Sequence, residues 1–357
     1  MLPTIVVCVY LQTIWPFSWG ANSHPPPQLP SAMPSPPPPL PIAKTRGCYS
    51  YLLYGKPSPS LFADTASAML SLLSPCRTTQ RIVLLLTELW WGTKYEALFA
   101  SIGVHIRRAP QLRNIGCSGA FRNGDHFVGT YTAFHAWGLY DLCDSVVYMD
   151  SDIQVMRGID HLFDFMQNRT TVLTAGVELH WPEMNTGVWL LRPSKKIHED
   201  LIHYTQHPPS HQAFLCGKGF QLAAKVFFSQ PSRFGKQQWF TRLGTRYNCM
   251  SNVDFESCRK LCDDCEPALE IDYQEHVHVM HFPGVKKFTF HEWWNASENR
   301  PQDRLKKDNP FFWQTLDQWH KHQAASMRML KPGGAERLLG VGHQCRAGGS
   351  DIGAFDA

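Results

Sequence analysis

The sequence predicts an α/β domain built on a mostly parallel, Rossmann-like sheet flanked by helices. Three observations carry that expectation. Short apolar runs alternate with amphipathic stretches along most of the chain, one run ends in two carboxylates, and 43% of the residues are hydrophobic against 18% charged. Alternating strands and helices pair in parallel through right-handed βαβ crossovers. The composition supplies a sizeable core and excludes wholesale disorder. A chain of 357 residues holds one large α/β domain or two small ones.

Taken in order, residues 1–20 read as a signal peptide or signal anchor. No charge occurs from Leu2 to Trp19, and Ser18-Trp19-Gly20 offers small residues at a peptidase spacing. A basic n-region is missing, since the first Lys or Arg is Lys44, and a buried N-terminal strand is the alternative. Residues 21–46 read as a linker, because ten of the seventeen residues from Pro25 to Pro41 are Pro and favour extended polyproline II. Residues 47–331 form the folded domain, and the Gly-rich tail 332–357 is expected to be disordered. This order suggests a secretory-pathway protein, Golgi-lumenal or secreted, with a membrane tether at its N-terminus. It is cytoplasmic if the first segment is not a signal.

Within the domain, Tyr49–Tyr54 and Arg81–Thr87 read as buried strands and Val104–Ile106 as a short one. Leu61–Leu73, Lys94–Ile102 and Tyr131–Leu142 read as helices. Further strands are expected at Thr171–Ala175, Val188–Leu191 and His276–Phe282, with helices opened by Ser194 and over Phe220–Phe228. The formal net charge of +4 is small for this length, and no basic run or RNA-type aromatic motif supports a nucleic-acid partner.

Three pieces carry chemistry. Val146-Val147-Tyr148-Met149 runs unbroken into Asp150-Ser151-Asp152. A strand buried on both faces thus delivers two carboxylates to the sheet edge where open α/β sheets bind ligands. Such a pair repels itself unless a cation lies between, and Mg²⁺ or Mn²⁺ suits oxygen ligands and substrate phosphates. Without the apolar strand and the pieces downstream, the pair reads as a surface turn with two solvated acids. Asn185-Thr186-Gly187 precedes another apolar run. Its Asn offers a donor and an acceptor to a sugar hydroxyl, or the triplet is simply a turn in which Asn and Gly supply unusual backbone angles. His281-Phe282-Pro283-Gly284 ends a strand and is followed by Lys286 and Lys287. Imidazole with two carboxylates makes a facial set for Mn²⁺, and ammonium groups beside it bind a diphosphate. The bland reading is a core histidine and a solvated basic turn.

In this order and spacing the three pieces resemble glycosyltransferase family 8, the glycogenin-like group. Tyr51-Leu52-Leu53-Tyr54, Arg77 through Val83, and Tyr247-Asn248 belong to the same resemblance, which runs from about Tyr49 to Phe288. It implies a retaining, metal-dependent transferase of the GT-A fold, moving a hexosyl or pentosyl group from a UDP-sugar to a glycan or protein acceptor. Carried over by position, Asp150, Asp152 and His281 hold Mn²⁺ or Mg²⁺, and Lys286 or Lys287 contacts the diphosphate. Leu53 and Tyr54 lie against the uracil, Ser151 and Gly284 join the donor site, and Asn185 and Gln221 face the sugars. Two positions depart from the family. Ala133 stands where a Lys is usual, and Phe220 stands where an acid usually precedes Gln221. No Asp or Glu occurs from Leu201 to Pro231. A nucleotide-sugar-binding pseudoenzyme of the same fold is therefore the alternative.

Eleven Cys and two Asn-x-Ser/Thr sequons, at Asn168 and Asn295, agree with an oxidising lumen. There Cys249, Cys258, Cys262 and Cys265 are expected in two disulfides. A zinc-dependent interaction protein built on that cluster is the rival from another class. Trp293, Trp294 and Trp313 either stack on a sugar acceptor or pack against the domain.

Overall fold

A computed structural model describes residues 46–73, 77–112, 125–167, 173–177, 184–207, 219–230, 240–250, 277–282 and 310–331. The expected signal, the linker up to residue 45, the tail, Gly284, Lys286, Lys287, both sequons, Trp293, Trp294, Cys258, Cys262 and Cys265 lie outside the described residues.

The elements alternate as the sequence suggests. β1 (Gly47–Leu53), α1 (Pro59–Leu73), β2 (Arg81–Leu86), α2 (Lys94–Ser101) and β3 (His105–Arg108) lead to a tight helical segment, Asp125–Asp141. Then come β4 (Ser145–Met149), β5 (Ile153–Val155), α3 (His161–Gln167), β6 (Leu173–Val177) and β7 (Met184–Leu191). The order closes with α4 (Lys195–Gln206), α5 (Gly219–Phe228), β8 (Phe240–Arg242), β9 (Cys249–Met250), β10 (Val279–His281) and α6 (Pro310–Met329).

The large sheet has the order β3-β2-β1-β4-β7-β6-β8. β3, β2, β1 and β4 are parallel, whereas β7 is antiparallel to both β4 and β6. This is the mostly parallel mixed sheet that was expected. Alternate residues explain the unbroken apolar runs. Leu52, Val146 and Tyr148 face the core under the helical segment, α4 and α5. Tyr49, Tyr51, Leu53, Val147 and Met149 face the core under α1, α2 and α3.

Two expectations change. Asn185-Thr186-Gly187 lies inside β7 rather than on a turn, and Gly187 is not among the glycines with positive φ. The strand expected over His276–Phe282 is shorter. β10 spans Val279–His281 and joins a second, three-stranded sheet between β5 and β9.

A feature the sequence did not single out is a disulfide between Cys48 and Cys143, 95 residues apart. It ties β1 to the loop that feeds β4. A bond closing a loop of about 100 residues restricts the unfolded chain by as much as ~4.7 kcal/mol, and removing native disulfides costs about 2–5 kcal/mol. Cys48→Ser with Cys143→Ser should therefore unfold at a markedly lower urea midpoint. An unchanged midpoint, or free thiols at both positions in the oxidised protein, would contradict the bond.

Candidate metal and nucleotide-sugar site

The two sheets meet at the end of β4. Met149 pairs with Val188 across the antiparallel β4–β7 ladder, and Asp150 N–H donates to Gly187 O at 2.9 Å. The chain then turns through Asp150-Ser151-Asp152 into β5. Ile153 pairs with His281 of β10, and Phe282 N–H donates to Asp152 O at 2.8 Å. The register of the small sheet thus brings His281 back to the acids from 129 positions further along the chain.

The ligand atoms of Asp150, Asp152 and His281 all lie within 4.8 Å of one another. His281 Nε2 stands 3.4 Å from Asp152 Oδ1. Two ligands of one octahedral ion with bonds of about 2.0–2.1 Å lie roughly 3–4 Å apart, so the set fits Mg²⁺ or Mn²⁺. Asp152 and His281 are only 5% and 4% exposed, while Asp150 is half-buried and opens the cluster to solvent. Tyr148 OH donates to Asp150 Oδ1 at 3.4 Å. Burial, then the Asp150 charge, holds that phenol well above its usual pKa, so it stays a donor.

Around His281 runs a chain of hydrogen bonds. His281 Nδ1 meets Asn248 Oδ1 at 3.0 Å, and Asn248 Nδ2 donates to Asn185 Oδ1 at 2.8 Å. Gly187 N–H donates to the same Asn185 oxygen at 2.8 Å. Gly187 is also required sterically. A Cβ there would overlap Cε1 and Nδ1 of His281 and lie 3.0 Å from Asn185 Oδ1. Its role is close approach rather than an unusual backbone angle. The neighbouring Thr186 donates from both N–H and hydroxyl to Gln221 Oε1, at 3.2 and 3.3 Å.

The remaining candidates divide. Tyr54 is half-buried, and its ring covers Gly129, where a Cβ would overlap it. Ser151 is half-buried in the turn between the acids. Leu53, by contrast, has its side chain 1% exposed in the core, because odd residues of β1 face inward under α1, and its carbonyl accepts from Thr87 N–H at 3.1 Å. Asn185 turns its oxygen inward to Asn248 and Gly187. Asn248 was not singled out as a site residue. It stands in the Tyr247-Asn248 pair of the resemblance, but its partners lie 33 and 63 positions away, so no local pattern shows what it touches.

Phe220 and Ala133 are buried in one aromatic cluster. Phe220 lies 5.2 Å from Trp189, 6.1 Å from Phe134 and 6.3 Å from Tyr148, ring centre to ring centre.

No protein-family model matches the chain. It is 33% identical over 103 residues to human glycogenin-1, a match covering 28% of this chain and 26% of that protein. It is 35% identical over 77 residues to glycogenin-1 of Oryctolagus cuniculus, covering 21% of each. The chain thus spans about a quarter of the length of the curated relatives it matches. Among solved structures, it is similar to the galactosyltransferase LgtC in complex with donor and acceptor sugar analogues, at 15% identity and TM-score 0.40, covering 66% of this chain and 87% of that one. It is similar also to apo mouse xyloside xylosyltransferase 1, at 15% identity and TM-score 0.40, covering 68% and 98%.

Gly187→Ala tests the seat of His281. Overpacking costs about 1–3 kcal/mol, and displacing the imidazole should weaken Mn²⁺ binding by at least about tenfold. Calorimetric titration with Mn²⁺ and a thermal melt read both effects. Wild-type values in both would contradict the close approach.

Proposed function

We propose that this glycogenin-like chain is a metal-dependent glycosyltransferase of the GT-A type, using a UDP-sugar and Mn²⁺ or Mg²⁺. The convergence of Asp150, Asp152 and His281 at the carboxyl edge of β4 carries this reading. An ion held there supplies Lewis-acid stabilisation to the departing diphosphate. Asp150 and Asp152 hold it through oxygen, Tyr148 orients Asp150, and His281 contributes Nε2 from the buried side. Lys286 and Lys287 are assigned the diphosphate on the resemblance alone, and Ser151, Gly284, Tyr54 and the Leu53 backbone the rest of the donor. The acceptor is a glycan or a protein.

Retention is part of the proposal. A double displacement needs a carboxylate on the sugar face opposite the leaving group, and Phe220 offers none. The acceptor therefore attacks from the leaving-group side, and the departing phosphate takes its proton. That route asks the protein for positioning and charge stabilisation. We place the chain in the secretory pathway, in the Golgi lumen or secreted. The Cys48–Cys143 bond supports an oxidising compartment.

Asp152→Asn should abolish the Mn²⁺-dependent thermal shift produced by UDP while leaving the apo melt near wild type. Ligand at a hundred times its Kd stabilises by about 2.7 kcal/mol, so the loss is easily read. A persisting shift would remove the metal from this reading.

The pseudoenzyme reading is favoured by one observation, the burial of Ala133 and Phe220 where the family places charge. The transferase reading expects slow Mn²⁺-dependent transfer or hydrolysis of UDP-sugar by the wild type. Binding without turnover, combined with turnover gained by the Ala133→Lys, Phe220→Asp double variant, would establish the pseudoenzyme instead.

A further inference from the structure

We infer that Asn248 is a positioning residue that locks His281 in the tautomer with Nδ1 protonated, leaving the Nε2 lone pair aimed at the cation site. The inference deepens the metal-dependent reading and rests on it for its purpose, though not for its evidence.

One donor in the chain of contacts has its identity fixed by covalent structure. A backbone N–H can only donate, and Gly187 N–H points at the Asn185 side chain at 2.8 Å. The Asn185 atom there must be its oxygen. That same oxygen faces Asn248 at 2.8 Å, so Asn248 must present its NH₂. The opposite side of the Asn248 amide, its oxygen, then faces His281 Nδ1 at 3.0 Å. An amide oxygen cannot donate, so Nδ1 carries the proton. In neutral imidazole the other nitrogen is then the acceptor. Side-chain amide and imidazole orientations are otherwise free to be assigned either way. Here a peptide hydrogen propagates one choice through two amides to the ring.

The consequence reaches the acids. With Nδ1 protonated and the ring neutral, Nε2 and Asp152 Oδ1, 3.4 Å apart in a buried site, are both acceptors. A cation between them relieves that arrangement, whereas an Nε2–H would satisfy Asp152 directly and close the site to metal. Outer partners of this kind typically contribute about 10- to 100-fold to metal affinity. Asn248 belongs to the turn before β9, whose Met250 pairs with His281 of β10, so the small sheet holds donor and acceptor in register.

The test uses the full chain, metal-free after chelation, with ¹⁵N-labelled histidine. Two-bond ¹H–¹⁵N correlations report the tautomer, and the His281 signals are assigned from their loss in His281→Asn. The expected result is Nδ1–H in wild type and in Asn248→Asp, which still accepts from Nδ1 although it no longer donates to Asn185. Asn248→Leu should shift His281 toward Nε2–H and raise the Kd for Mn²⁺ alone by about 10- to 100-fold. If Asn248→Leu does not fold, Asn185→Ala reads the same relay by freeing the Asn248 amide, and His281 should then divide between tautomers. Nε2–H in the wild type, or an unchanged tautomer in Asn248→Leu or in Asn185→Ala, overturns the inference. A wild type that binds no Mn²⁺ sinks the metal-dependent reading instead, and the tautomer spectra alone then decide for or against the relay.

Discussion

His281 lies so close over β7 that one Cβ at position 187 would occupy the space of its ring, and the rest of the site is arranged around that seat. β7 reaches the acids because it runs antiparallel to β4, which sets Gly187 O opposite Asp150 N–H. The small sheet brings His281 in from the other side by pairing it with Ile153. Neither sheet alone makes the cluster. The large one presents the carboxylates, the small one presents the imidazole, and a residue without a side chain lets the two surfaces close. Because cores are close-packed, a shift of even a methyl group at such a junction must be absorbed by the groups around it.

The two departures from the glycogenin-like pattern are easier to understand together than singly. A buried ion pair that loses one partner leaves an uncompensated charge and costs about 3–5 kcal/mol. Replacing both partners by packed apolar groups is often neutral or stabilising. Ala133 and Phe220 are both buried in the cluster that contains Phe134, Trp137, Tyr148 and Trp189. Such apolar packing requires no charge partner, and the adjacent Gln221 accepts twice from Thr186.

Much of the fold was legible because its signals are local. The apolar runs at β1, β2 and β4 mark strands buried on both faces, and their ends were placed within a few residues. Ser194 caps α4 by accepting from Ile197 N–H, as a residue of its type before a helical pattern should. The direction of β7 was less accessible, since an apolar run of four residues carries no sign of orientation. Asp150 and Asp152 could be found from their strand, and His281 from the resemblance. The Cys48–Cys143 bond could not, and Tyr247-Asn248 could be noted only as part of the resemblance, because what each touches depends on pairing between segments tens of residues apart. Asn185-Thr186-Gly187 was visible as a motif but misread as a turn. Its glycine serves the approach of a ring that belongs to a strand 94 positions later, and nothing within the triplet says so.

Charge balance gives a reason for an amide at position 248. Carboxylates often take the outer place beside a metal-bound histidine, where they raise its basicity. Asp150 and Asp152 already bring two negative charges, and Asp152 and His281 are almost fully withdrawn from water. A third carboxylate would leave a net negative charge beside a divalent ion, in a place where unbalanced charge is costly. The Asn248 amide fixes the ring as firmly while adding none. Two carboxylates, a neutral imidazole and a divalent cation then sum to zero. On the proposed reading, an incoming diphosphate must therefore be matched by cations outside this inner set. His281 cannot supply that charge without surrendering the lone pair for which it is held. Lys286 and Lys287, assigned the diphosphate on the resemblance alone, are the candidates for that charge. On the proposed reading the hydrogen-bond relay keeps positive charge off the imidazole, so the phosphates must find theirs in other groups.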